Sequence, residues 1–188
     1  SQQELVALGQ ALVDGEERGL NPQALAILKL LVFTGARKGE IETLRWDAVD
    51  FEGGYLRLAD SKTGQKAFPL NAGALEILSN IPRLDGSPYV FPAHRSDGHY
   101  EGRMAGLEDV RLHDLRHSFA SIAVSGGASL PIIGALLGHY DSATTQRYAH
   151  LHDDPIKAAS EAVGGKIAAA LGNLSANSGI TSIRTNKS

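Results

Sequence analysis

Cysteine is absent from all 188 residues, so no disulfide framework, zinc-thiolate site or thiol nucleophile can be built from this chain. A reducing cytoplasm suits such a composition. Long apolar runs are also missing. Nothing approaches the roughly 20 residues of a membrane span, and the opening SQQELVALGQALVDGEERG has no basic segment leading into an apolar core. The chain reads as soluble and unexported, with no membrane partner. An excess of positive charge is lacking too: the formal net charge is -3, whereas a protein that grips nucleic acid by neutralising phosphates is usually basic. That average conceals a segregation. Glu4, Asp14, Glu16, Glu17, Asp153, Asp154 and Glu161 lie near the ends, while Arg37, Lys38, Arg45, Lys62, Lys66, Arg111, Arg116 and Arg147 lie in the middle, which leaves room for a local basic cleft.

What is present suits one compact domain, since 43% of the chain is hydrophobic and 21% charged. Leu5, Leu8 and Leu12 recur at helical spacing before a stop at Gly19. Asn21-Pro22 reads as an N-cap with proline at the first helical position. The helix that follows, Leu25 to Phe33, is apolar on nearly every side and is expected to be buried. Thr34-Gly35 ends it and starts a short helix through Glu40, Ile41 and Leu44, with Arg37 expected in its first turn, where free N-H groups favour anions.

The pattern then changes to strands. Tyr55-Leu58 and Ala67-Leu70 flank the turn Ser61-Lys62-Thr63-Gly64, giving a small hairpin with Lys62 near its tip. Asn71 caps a helix through Leu75 and Ile77. Tyr89-Phe91 reads as a short edge strand and His94 to Asp109 as unpatterned loop. Leu112, Leu115, Phe119 and Ile122 repeat as a helix face ended by Gly126-Gly127. Ser129 caps a helix over Leu130-Leu137 that stops at Gly138, and another short helix is expected from Ser142 to His150. A final alanine-rich helix opens at Asp153-Asp154-Pro155 and runs to about Leu171. Its Ile156, Ala159, Val163 and Ile167 suit packing on their own domain as well as on a neighbouring molecule. The tail from Asn173 to Ser188 has little apolar content and is expected to be flexible.

Cleaving a phosphodiester without a metal calls for cations around the non-bridging oxygens, a positioned nucleophile and an acid for the leaving oxygen. Several segments offer such groups, and each has a plainer reading. TGARKGEI presents a guanidinium whose planar fork can grip a phosphate, or an ordinary surface arginine. HDLRH places His113, Arg116 and His117 on one helix face beside an apolar stripe. That face is a site wall, a solvated surface, or a zinc helix imitating H-E-x-x-H. Asp114 is a short base for the zinc reading, and Arg116 would set a positive charge beside the metal. LLGH ends a helix with His139 just past the glycine, and Tyr148 follows in TTQRYAH, where a lone tyrosine most often packs. SKTG lacks the glycines that precede the lysine of a phosphate loop, which disfavours a nucleotide triphosphatase.

Taken in order, TGARKGEI, SKTGQKAFPL, HDLRHSFAS and LLGHYDSATTQRYAHL resemble the tyrosine recombinase or phage integrase family, over roughly Asn21 to Leu151. The resemblance implies an α+β fold, mostly helical with a small antiparallel sheet, that of the recombinase catalytic domain. It assigns residues 1–172 to that domain and 173–188 to a flexible tail, and expects the helical N-terminal core-binding domain of relatives to be absent from this chain. By resemblance, Arg37 and Arg116 clamp the scissile phosphate and Lys62 protonates the departing 5′-hydroxyl. His113 assists proton transfer at the tyrosine, His139 hydrogen-bonds a non-bridging oxygen, and Glu40 supports the cluster by orienting a neighbour. Tyr148 attacks to form a 3′-phosphotyrosyl link, so rejoining needs no ATP, cofactor or metal. A phenol with an ordinary pKa near 10 is a weak nucleophile at neutral pH, which makes the surrounding cations a physical requirement.

The implied partner is double-stranded DNA, without a small-molecule substrate. A homotetramer on synapsed DNA and a monomer when free are expected, in a bacterial cytoplasm near the nucleoid, with a prophage or other mobile element as origin. Two other classes compete: a DNA-binding accessory module of the same fold that does not turn over, and a zinc-dependent hydrolase built on HDLRH. The stretch between Phe91 and Arg111 is shorter than the family pattern, which bears on the wall before His113, and the acidic balance points to weak DNA binding by this piece alone.

Overall fold

A computed structural model of the chain describes residues 2–58, 66–94, 97–101, 112–138 and 154–172. Helices α1 (Gln2–Glu17), α2 (Pro22–Thr34) and α3 (Lys38–Glu42) come first, followed by a single 3-10 turn at Trp46–Ala48. Strands β1 (Val49–Asp50), β2 (Tyr55–Leu58) and β3 (Lys66–Pro69) follow, then α4 (Ala72–Asn80), α5 (Leu112–Ser125), α6 (Leu130–Leu136) and α7 (Asp154–Ala170).

Helix α2 is the centre of the molecule. Asn21 caps it as expected, its Oδ1 accepting the Gln23 N-H at 2.8 Å. From Ala24 to Thr34 every residue except Lys29 is buried, and Lys29 reaches out of the core to Glu16 of α1 at 2.5 Å. Each large side chain enclosed here contributes on the order of 1.5–3 kcal/mol relative to exposure. Helices α1, α3, α4, α5 and α7 all pack against α2.

The three strands form one antiparallel sheet in the order β1-β2-β3. Its register sets Leu56 opposite Phe68 and Leu58 opposite Lys66. Leu56 and Phe68 are fully buried, so alternation along β3 turns Lys66 to the same, inner face. The expected hairpin is therefore present with one strand more, because Val49 and Asp50 add a short edge to β2.

Asn71 is a buried polar joint. Its Oδ1 accepts the Ala74 N-H at 3.1 Å, capping α4 as expected, while its Nδ2 donates to Phe33 O at 2.8 Å and Ser160 O at 3.4 Å. One amide thus ties the ends of α2 and α4 to α7. Gly164 makes that approach achievable, since a Cβ there would stand 2.6 Å from the Asn71 Cγ. Val163 and Ile167 of α7 are buried in this chain's own core, so that helix packs on its own domain.

Some expectations change. Tyr89-Phe91 is not an edge strand: Tyr89 makes one isolated bridge to Arg45, and Pro92 one to His99. Within the section expected to be unpatterned loop, the described residues 97–101 pair with the segment before it, Ala93 N donating to Gly98 O at 2.9 Å and Tyr100 N to Phe91 O at 2.7 Å, and the Tyr100 ring is buried. Ser129 occupies the N-cap position of α6 but makes no side-chain capping bond. The helix expected over residues 142–150 and the tail 173–188 lie outside the described residues. Among the described residues no helix is long and apolar enough to cross a membrane.

Asn71→Ala removes a cap and leaves the Phe33 carbonyl buried without its donor. We expect a loss of about 2–3 kcal/mol, read from urea unfolding midpoints with an unchanged slope.

Candidate active site

The segment TGARKGE is a sequence of local solutions to the end of a buried helix. Thr34 Oγ1 donates to Leu30 O at 2.6 Å and accepts the Ala36 N-H at 3.2 Å. Gly35 then adopts φ 63°, and its N-H closes on Leu31 O. That left-handed cap suits glycine, and a Cβ at Gly35 would also meet the Phe119 ring of α5 at 2.7 Å. The chain emerges at Arg37 in extended conformation.

Arg37 is the N-cap of α3 and not a member of its first turn. Its own N-H donates to Glu40 Oε2 at 2.8 Å, so the carboxylate expected to orient a neighbour is the anion that this helix start receives. The Arg37 guanidinium lies 3.4 Å from Glu40 Oε1, with 47% of the side chain exposed. Glu40 Oε1 also accepts from Lys66 Nζ at 2.5 Å, in a pair whose side chains are only 4% and 11% exposed.

Arg116 comes to the same place from α5. Its Nη1 donates to Gly35 O at 2.5 Å and its Nη2 to Leu137 O at 2.9 Å. Both acceptors end helices, where carbonyls carry partial negative charge. The half-buried guanidinium thereby joins α5 to the turn before Arg37 and to the residue two before His139. Burial pulls the Arg116 pKa below its ordinary value, and the charge of Arg37 adds to this, while Glu40 works against it. Arg37, Glu40 and Arg116 are therefore one electrostatic cluster.

The remaining candidates are less completely described. His113 belongs to the first turn of α5, one turn before Arg116; its side chain lies outside the described residues, as do Lys62, His139 and Tyr148 altogether. His117, the other histidine of HDLRH, is exposed. Among the described residues no group of three His, Asp or Glu side chains gathers as metal ligands would.

Lys66 was not among the candidates, although its signal is in the sequence. In Lys66-Ala67-Phe68, strand alternation puts the lysine on the face of the phenylalanine, and an inward lysine needs a buried anion. Only the tertiary structure identifies that anion as Glu40.

Comparisons with known proteins give the family and the fold. The phage integrase family matches residues 2–154. The chain is 31% identical over 170 residues to tyrosine recombinase XerD of Pseudomonas putida, covering 80% of this chain and 56% of that protein. It is 32% identical over 142 residues to prophage integrase IntF of Escherichia coli K12, covering 68% of this chain and 30% of that protein. It thus spans about half, or less, of these relatives. The fold is similar to the integrase from mycobacterium phage Brujita, with TM-score 0.59 at 20% identity, covering 76% of this chain and 52% of that one. XerA recombinase gives TM-score 0.54 at 22% identity, covering 80% and 59%.

Replacing Arg116 with Ala leaves two helix-end carbonyls without their donor, and we expect a loss of about 2 kcal/mol in thermal or urea unfolding. Arg37→Ala, at an exposed side chain, should change stability by less than about 0.5 kcal/mol.

Proposed function

Because the chain belongs to the phage integrase family, the tyrosine recombinases, we propose that it carries out metal-independent strand transfer on double-stranded DNA, residues 1–172 forming the catalytic domain. The observation that carries this reading is the convergence of Arg37 and Arg116. The Arg116 guanidinium is bonded to the carbonyl of Gly35, two residues from Arg37, and its pKa responds to the charge of Arg37. Arg37 keeps 47% of its side chain exposed, and in this reading a phosphate is the anion that both charges meet.

In this reading the two arginines cradle the scissile phosphate. Arg116 is fixed by its carbonyl bonds and contributes a preorganised charge, which costs no reorganisation when the pentacoordinate transition state gathers negative charge. Arg37 supplies the exposed planar fork. Glu40 holds the Arg37 backbone and so sets the origin of that side chain. Tyr148 attacks phosphorus: the bond from its phenolic oxygen forms, the bond to the 5′-oxygen breaks, and Lys62 gives that oxygen a proton. His113 assists proton transfer at the tyrosine and His139 hydrogen-bonds a non-bridging oxygen. The phosphotyrosyl ester keeps the energy of the broken bond, so a 5′-hydroxyl can reverse the step without cofactor or ATP. Further, the working form is a homotetramer on synapsed DNA, monomeric when free, in a bacterial cytoplasm near the nucleoid. A prophage or other mobile element is its source.

Incubation with nicked duplexes from a random pool, followed by a denaturing gel, tests the reading. A covalent protein-DNA adduct is expected from the native sequence, falling at least about 10³-fold in Tyr148→Phe and by about 10²–10³ in Arg37→Ala. A folded protein that binds the duplexes but yields no adduct would point to an accessory module.

A further inference from the structure

We propose that Lys66 is a positioning residue for this reaction, holding the Glu40 carboxylate on the core side of α3 so that Glu40 fixes the Arg37 backbone without sequestering the Arg37 guanidinium. The inference rests on the recombinase reading for its chemistry and on the geometry of three residues for its mechanism.

Lys66 is the first residue of β3 and is only 6% exposed. A lysine in that position pays a large desolvation cost unless a carboxylate meets it. Its partner, Glu40, lies 26 residues earlier, at 2.5 Å. The two oxygens of Glu40 have separate uses: Oε2 accepts the Arg37 N-H at 2.8 Å, while Oε1 accepts from Lys66 at 2.5 Å and, at a longer 3.4 Å, from Arg37 Nη1. An arginine and a glutamate three apart on a surface turn would otherwise be free to close into a bidentate pair. Lys66 competes for the carboxylate from the buried side, and Arg37 keeps 47% of its side chain exposed. The pair also ties the sheet to α3, so the height of Arg37 above the core is set by β3.

A buried pair of this kind is weak evidence of a gain in stability, because desolvation offsets the attraction, whereas loss of one partner is damaging. Its value here is geometric. Displacing a phosphate ligand by about 1 Å is enough to cost on the order of 10²-fold in rate.

Lys66→Met, Lys66→Gln and Lys66→Arg would be compared with the native sequence in the full chain, each checked for cooperative unfolding. Gln keeps a donor for Glu40 and serves if Met does not fold. Hydrogen exchange at the Arg37 amide is the first measurement. We expect at least about tenfold faster exchange in the Met or Gln variant, with amides inside α2 unchanged and the native rate restored by Arg. The second is single-turnover adduct formation on nicked duplexes as a function of DNA concentration. The saturating rate should fall by about 10–100-fold while the half-saturating concentration moves by less than about threefold, and Arg should recover most of the rate.

Unchanged exchange at Arg37 in a folded variant would overturn the proposal. So would a saturating rate within about twofold of native, or an activity loss that follows only the unfolded fraction. If the native protein itself forms no adduct, the recombinase reading fails, and the exchange measurement still decides whether Lys66 positions Arg37.

Discussion

Burial of α2 is the constraint on which the structure depends. From Ala24 to Thr34 every residue but Lys29 is buried, and among the described residues five other helices cover α2. A helix enclosed in this way still has to end, and its last carbonyls still need partners. The solution is the turn through Thr34, Gly35 and Ala36, which satisfies the backbone locally and delivers Arg37 to the surface. The site stands where the buried helix comes out, and the segment that closes the core is the one that presents the cation.

Arg116 uses the same requirement from the other side. Helix-end carbonyls at Gly35 and Leu137 lack intrahelical donors, and a guanidinium with a fixed fork of N-H groups can serve both at once. Fold and site are not separable at this residue: the bonds that fix the charge are also those that close two helices against α5. The charge of Arg37 works against that of Arg116 and the charge of Glu40 works for it, while the Glu40 carboxylate is shared with the Arg37 backbone and with Lys66.

The net charge of -3 is compatible with this arrangement because whole-chain charge is an average over faces. Glu16, near the start, pairs with Lys29 of α2, and Lys38 pairs with Glu42, whereas Arg37 and Lys66 share the carboxylate of Glu40, and Arg116 feels the charges of Arg37 and Glu40. The Lys38 end of its pair is 45% exposed, so water and salt reach that charge. The cluster at the end of α2 is partly enclosed, where a charge acts over a longer range than in water.

Local order in the chain was enough to determine the elements whose cause is local. Asn21-Pro22 and Asn71 are caps because their own amides reach N-H groups two or three residues on, and an apolar helix is buried whatever its neighbours are. The antiparallel hairpin followed from alternation, and the four ordered segments were enough to indicate the family. What the tertiary structure decided is every feature whose partner is distant in sequence. Arg116 meets a carbonyl 81 residues earlier, Asn71 reaches Ser160 across 89 residues, and Lys66 finds Glu40 across 26. Strand alternation foretells that Lys66 turns inward, but no local rule names the carboxylate it will find. The packing of α7 on its own core was settled in the same way. It depends on which surfaces remain uncovered after the other helices have closed around α2, and that is a property of the assembled chain, not of any segment within it.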